Sequence, residues 1–190
     1  MKLILAFALT TGAAAFTAPH FTARSCSTTL DANIVDTLAS LEGPGQVWGA
    51  DGIAVGKEES ELKGYDNFGL FSQRLASSGV AATLAGPGPF TVFAPTDTAI
   101  ESYERVVGPV DASVVQYCIV PGQLSSAAVA TTSPLTTLSG QTLTYSRKFR
   151  KDFVNDAIIG EKTFGNFADF PTNVACDNGI IHTIGVVLEP

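Results

Sequence analysis

Basic residues are scarce in this chain: Lys and Arg number 11 against 18 Asp and Glu, a net charge of −7 over 190 residues. Nucleic-acid binding needs a basic face, and this balance excludes it as the main role. Cysteine is also sparse. Three are too few for a disulfide framework or a Cys-based zinc site. No apolar run reaches the roughly 18–20 residues that span a bilayer. Charged residues make up only 15% and apolar ones 45%, a composition too hydrophobic for disorder. Glycine (18) and proline (10) are plentiful, which points to short elements and many turns rather than a helix bundle.

The first thirty residues read as processing sequence. Met1-Lys2 is a short positive start, Leu3 to Leu9 an apolar core, and Ala13-Ala14-Ala15 a small-residue cleavage site. Residues 1–15 are thus expected to be a signal peptide. Residues 16–30 are rich in Ser and Thr, weakly basic through His20 and Arg24, and free of acid before Asp31, which is transit-like. With Phe16 directly after the cleavage site, the leader resembles the bipartite leaders of algae with secondary plastids. It implies a plastid address, the stroma, by the secretory route; the alternative is an extracellular protein. No Asn-x-Ser/Thr sequon occurs.

Residues 31–190 read as one α+β domain. Ile34, Val35 and Leu38 form the apolar stripe of a first helix, stopped at Gly43-Pro44-Gly45. A second helix fits Phe68 to Ser77 and ends at Gly79. Phe90 to Ala94 is a β-branched and aromatic strand that Pro95 terminates. Thr98 and Glu101 have capping-box spacing, so a helix is expected to start there. Asp111 caps another short helix. From Leu135 the pattern turns to strands, and Gly179 to Leu188 is the strongest of them. Helices gathered early and strands late indicate α+β rather than a doubly wound sheet.

Five ordered segments carry a family resemblance. Thr91-Val-Phe-Ala-Pro95-Thr96-Asp97-Thr-Ala-Ile100 resembles the first signature of the fasciclin-like domain, and Asn178-Gly-Ile-Ile-His182-Thr-Ile-Gly-Val-Val-Leu-Glu-Pro190 its closing segment. Between them, Tyr117-Cys118-Ile-Val-Pro-Gly122 resembles the family's Tyr-His-x-Val-Pro-Gly stretch. Leu135 to Gly140 and Val154 to Ala157 resemble its hairpin strands. The resemblance implies a wedge of β-sheet with short helices packed early in the chain. It also marks residues 43–66 and 163–175 as loop insertions. Two departures stand out: Cys118 replaces the middle His, and Gly185 replaces an Asp of the closing segment. The resemblance links those positions to the polar core and to receptor adhesion, so animal-type integrin adhesion is not expected.

The catalytic repertoire is thin. His182 is the one histidine after the leader, and no Gly-x-Ser-x-Gly elbow, His-Glu-x-x-His, Walker loop or Cys-x-x-Cys occurs. Gly86-Pro-Gly-Pro89 lacks the backbone donors of a phosphate loop and reads as a turn. His182 lies mid-strand in an apolar run and is expected to be a core histidine bonded near Thr91–Thr96. Neither an enzyme, a metal site nor a resident cofactor is expected. Two surface features invite partners. Arg147, Lys148, Arg150 and Lys151 surround Phe149 in a basic run expected to be a solvated hairpin turn, or else a docking patch for an acidic partner or polysaccharide. Trp48 and the evenly spaced Phe164, Phe167 and Phe170 lie in the two insertions. The resemblance implies a non-catalytic domain that binds a protein or glycan through surface loops; the alternative is a water-soluble carotenoid or lipid carrier, which needs a long apolar groove. Cys118 and Cys176 are expected to be free thiols.

A fluorescent fusion of residues 1–30 tests the leader. It should reach the plastid, and Phe16→Ala should leave signal cleavage intact while stalling the cargo short of the stroma. Normal delivery of that variant would rule out the two-part address.

Overall fold

The structure, a computed structural model, describes residues 32–43, 66–160 and 170–190. The leader segments, Trp48, Phe164 and Phe167 lie outside the described residues. Helices α1 (Ile34–Ser40), α2 (Gly69–Ser77) and α3 (Val80–Leu84) come first, followed by strand β1 (Phe90–Pro95). Helices α4 (Asp97–Val106) and α5 (Ala112–Tyr117), strand β2 (Ile119–Pro121) and helix α6 (Ser126–Thr132) follow. The remaining strands are β3 (Leu135–Thr136), β4 (Thr142–Leu143), β5 (Tyr145–Lys148), β6 (Lys151–Val154), β7 (Ala157–Ile158), β8 (Val174–Cys176) and β9 (Gly179–Ile184). The fold is α+β, as the element order suggests.

The main sheet runs β2-β1-β9-β8. Its centre is a parallel pair, β1 against β9, in register from Phe90↔Gly179 to Pro95↔Ile184. Both strands are buried along almost their full length, which suits their continuous apolar, β-branched composition better than alternation would. Strands β2 and β8 flank them antiparallel. Helices α1–α3 cover the sheet, with Ile34, Leu38, Phe68, Phe71, Leu75 and Leu84 fully buried against Val92, Phe93 and Ile181. A second layer of short antiparallel ribbons, β3-β4 and β5-β6-β7, packs below. Tyr117 holds that layer to α5: its hydroxyl donates to the Thr142 carbonyl (3.2 Å) and accepts from Asn155 Nδ2 (2.8 Å).

Three elements differ from the sequence reading: a helix cap, a strand end and an unannounced helix. The N-cap of α4 is Thr96, whose Oγ1 accepts from the Ala99 amide, rather than Thr98. Asp97 instead turns its carboxylate to the neighbouring helix and accepts from the Leu70 amide (2.7 Å), capping α2, whose own N-cap residue Phe68 has no side-chain acceptor. Asp66 reciprocates by accepting from the Thr98 amide (2.9 Å) at the start of α4. Strand β9 stops at Ile184 instead of running to Leu188 because the chain bends at Gly185-Val186. Helix α6 lacks a broad apolar stripe and buries only Val129, so periodicity does not announce it.

Asn178, in the turn between β8 and β9, joins the layers. Its Oδ1 accepts from the Ile34 amide at the start of α1 (2.9 Å), and its Nδ2 donates to the Leu84 carbonyl at the end of α3. Its own carbonyl accepts from the Phe90 amide at the start of β1 (2.9 Å). The amide thus satisfies one orphan donor and one orphan acceptor at two helix ends. The crossing is so close that a Cβ on Gly88 would sit 2.1 Å from the Asn178 carbonyl oxygen. Asn178→Ala is expected to lower stability by about 2–4 kcal/mol, because it leaves an amide and a carbonyl without partners. Urea titrations of wild type and variant read this directly. An unchanged midpoint would show that water replaces the amide at both ends.

Candidate functional site

Residues from five separate stretches of chain meet in an open groove of about 500 Å3. Thr96, Thr98, Ala99, Ser102 and Tyr103 come from α4 and its cap. Asn155, Asp156 and Ala157 come from the β6–β7 turn, and Gly185 to Glu189 from the segment after β9. Asp66 and Phe170 complete the lining. They belong to the two stretches marked as insertions, so each of those stretches places a residue at this one groove. The lining combines apolar surface (Ala99, Tyr103, Phe170, Val186, Val187, Leu188) with the carboxylates of Asp66, Asp156 and Glu189, and among the described residues no Lys or Arg lines it. Burial, aided by Glu189, Asp111 and Cys118, raises the Tyr103 phenol above its usual pKa, so it stays a neutral hydrogen-bonding group. At Gly185 a Cβ would meet nothing within 4 Å, so packing does not require the missing side chain there.

Of the signature residues Thr91, Pro95, Thr96, Asp97, Tyr117, Cys118 and His182, Thr96 lines this groove, and the others make contacts inside the fold. Thr91 is fully buried; its hydroxyl donates to the Gly122 carbonyl (2.7 Å) and accepts from the Leu124 amide (2.9 Å). Pro95 and Thr96 end β1 opposite Ile184, and the Thr96 amide bonds the Ile184 carbonyl. Of the three insertion phenylalanines, Phe170 is described, and it lies in the groove wall. Arg147, Lys148, Arg150 and Lys151 form the tip of the β5–β6 hairpin, away from the groove.

His182 is fully buried, but its partners are not in the Thr91–Thr96 segment. Nε2 lies 2.8 Å from the Leu124 carbonyl and must donate to it; Nδ1 therefore accepts, from the Thr172 hydroxyl (3.1 Å) and the Asn173 amide (3.4 Å). The hydrogen-bond partners themselves come from two loops, one of which, around Leu124, is also held by Thr91. Phe93, its partner in register, does stack on the ring with centroids 5.6 Å apart. With all its nitrogens engaged, His182 ties two loops to the sheet.

Both remaining cysteines are free and buried. Cys118 caps the C-terminus of α5 beside edge strand β2, whereas Cys176 lies on the opposite edge strand, β8. Three strand spacings of about 4.8 Å separate these edges, beyond the reach of a disulfide. Burial pushes the Cys118 thiol up to about 12, with the Leu188 amide opposing it weakly, so it carries no thiolate at neutral pH. The Cys176 thiol, also raised by burial, donates to Thr37 Oγ1 (3.4 Å). Among the described residues, no group of three His, Cys, Asp or Glu is placed to hold a metal ion. No helix there is long and apolar enough to cross a membrane.

Desolvation lowers the His182 pKa below the ordinary 6.5, although the Leu124 bond works the other way. The unfolded chain therefore takes up the proton first as pH falls. His182 gives full stability above its unfolded value and loses it as pH drops from there towards the depressed folded value. Unfolding free energy measured by urea titration at about pH 8 and about pH 5 should fall more for wild type than for His182→Gln, which keeps a donor but cannot titrate. Equal pH dependence in the two proteins would mean that the ring is hydrated and not held neutral.

Comparison with known proteins agrees with this architecture. The family model described as the fasciclin domain matches residues 66–190. The chain is 28% identical over 136 residues to Protein sll1483 of Synechocystis sp., covering 67% of this chain and 69% of that protein. It is also 28% identical over 136 residues to transforming growth factor-beta-induced protein ig-h3 of Sus scrofa, covering 68% of this chain but 18% of that much longer protein. A family model matching well over half of the sequence, on a fold whose two central strands are the two signature segments, settles the assignment: the chain belongs to the fasciclin domain family.

Proposed function

We propose that this chain is a non-catalytic, adhesion-type interaction domain that holds a partner protein in the groove between α4, the β6–β7 turn and the segment after β9. The groove is the observation that carries this reading: it is the place where Asp66 and Phe170, contributed by the two stretches that depart from the family pattern, come together on a fixed scaffold. Its volume lies within the range of ordinary ligand sites. Its chemistry favours a segment that pairs an apolar side chain with a Lys or Arg, the first against Tyr103, Phe170 and Val187, the second towards Asp156 and Glu189.

Two observations support a binding role over a chemical one. The buried thiol Cys118 is held protonated, and the nitrogens of His182 are committed to loop contacts. The carotenoid or lipid carrier is disfavoured by the same lining. A polyene or acyl chain requires a long apolar slot, and this groove is open and rimmed by three carboxylates and the hydroxyls of Thr98 and Ser102. The compartment in which the domain meets its partner follows from the leader, and we place it in the plastid.

Selection from a random peptide display library on the purified domain tests the reading. Enriched peptides should pair a basic residue with an aliphatic or aromatic one. Val186 is 53% exposed, so Val186→Lys should fold normally while competing for the groove carboxylates. It and Phe170→Ala should each weaken peptide binding about tenfold, equivalent to about 1.4 kcal/mol. Peptides that bind both variants as tightly as wild type would move the site elsewhere. A visible absorption band co-purifying with the native protein would favour the carrier.

A further inference from the structure

The hairpin of β5 and β6 carries a feature that the groove does not use. Its two-residue loop is Phe149-Arg150, with Lys148 and Lys151 facing each other as the last strand pair and Arg147 opposite Asp152. We propose that this tip is a docking element for an anionic lipid surface, with the Phe149 ring entering the interface while the surrounding cations meet headgroup phosphates.

Three observations converge on the tip. Phe149 is 94% exposed, the most exposed large apolar side chain among the described residues. It sits at the apex, not on a flank where a neighbouring loop would cover it. Next, both loop residues have left-handed backbone, Phe149 at φ 52° and Arg150 at φ 64°. Tight hairpins place Asn-Gly or Asp-Gly at these positions because bulky residues are strained there. Here an aromatic and a cation take the strained positions, and the geometry aims both outward. Lastly, four of the chain's 11 basic residues fall within five positions. Lys148 lies directly opposite Lys151, a like-charge pairing that destabilises a hairpin. Arg147 leans on Asp152 at 3.8 Å, and that carboxylate also accepts from the Tyr145 hydroxyl (2.6 Å), which draws it back along the ribbon from the apex.

The aromatic decides between classes of polyanion. A sulfated polysaccharide would use the cations and leave Phe149 in water, and an acidic protein would need an apolar pocket beside its carboxylates to cover the ring. A bilayer takes both, since the ring can pass below the phosphates while Lys and Arg stems reach back up to them. Each cation close to an anionic membrane contributes about a fivefold gain in partitioning. The distant acids that make the chain negative overall are screened beyond about 10 Å at 0.1 M salt. Binding should therefore be weak, reversible and salt-sensitive. The β6–β7 turn, which lines the groove, lies at the other end of β6, so a molecule seated by its tip keeps the groove clear of the surface.

Vesicle flotation of the purified protein tests the proposal. Wild type should float with vesicles of equimolar phosphatidylglycerol and phosphatidylcholine and stay behind with phosphatidylcholine alone. Raising the salt tenfold should abolish flotation. Phe149→Ala should reduce partitioning about tenfold. The double variant Phe149→Asn with Arg150→Gly adopts the favoured turn, so it should lose vesicle binding while its urea midpoint stays the same or rises. That result separates loss of docking from loss of fold. The proposal is overturned if wild type fails to float, if it binds neutral vesicles equally well, or if the double variant binds like wild type. Competition by soluble dextran sulfate that Phe149→Ala does not affect would also overturn it, assigning the tip to a soluble polyanion.

Discussion

The fold hangs on the amide of one asparagine. Asn178 stands at the entry to β9 and bonds simultaneously to the start of α1, the end of α3 and the start of β1. The burial of Phe68, Phe71 and Leu75 supplies most of the driving force for the helical cap. Hydrophobic burial is not directional, however, and would tolerate several helix placements. The asparagine fixes one of them, because each of its bonds also satisfies a backbone group that a helix end or strand start would otherwise leave unpaired. The exchanged caps of Asp66 and Asp97 do the same for α2 and α4, and the bidentate Arg74–Glu104 pair adds a second tie between those helices.

A division of labour follows from that rigidity. The central strands carry the signature residues and use them internally: Thr91 and His182 both grip the loop around Leu124, and Tyr117 grips the ribbons below. All three side chains are buried. What the surface offers lies at the periphery, in the groove lined by Asp66 and Phe170 and at the hairpin tip. The Glu- and Asp-lined groove and the cationic tip have opposite charge, so the two surfaces suit ligands of opposite sign.

The strands that make the sheet were legible in the sequence because burial on both faces demands an unbroken apolar, β-branched run, as in Phe90–Ala94 and Gly179–Ile184. The early helices were legible from Ile34/Leu38 and Phe71/Leu75 spacing. Short elements were not. Val80–Leu84 and Ser126–Thr132 owe their helicity to tertiary contacts, and five or seven residues cannot display a period. The cap of α4 was misplaced because Thr96 and Thr98 are equally good caps locally; the choice depends on Asp66, which lies 32 residues earlier in the chain. The burial of His182 was legible, but its partners were not, since Leu124, Thr172 and Asn173 are neighbours only after the sheet has formed. The groove was invisible for the same reason: it joins residues from Asp66 to Glu189.

The parallel pairing of β1 with β9 has a consequence for how the chain acquires its structure. Every partner of β1 on that side arrives roughly ninety residues later, and the asparagine that locks α1 follows it by 144 residues. During vectorial synthesis α1 and the β9 side of β1 therefore emerge well before the residues that pair with them, whereas β2 and the mutually capped helices α2 and α4 are close at hand. The β1–β9 centre of the sheet can close only after the last strand is made.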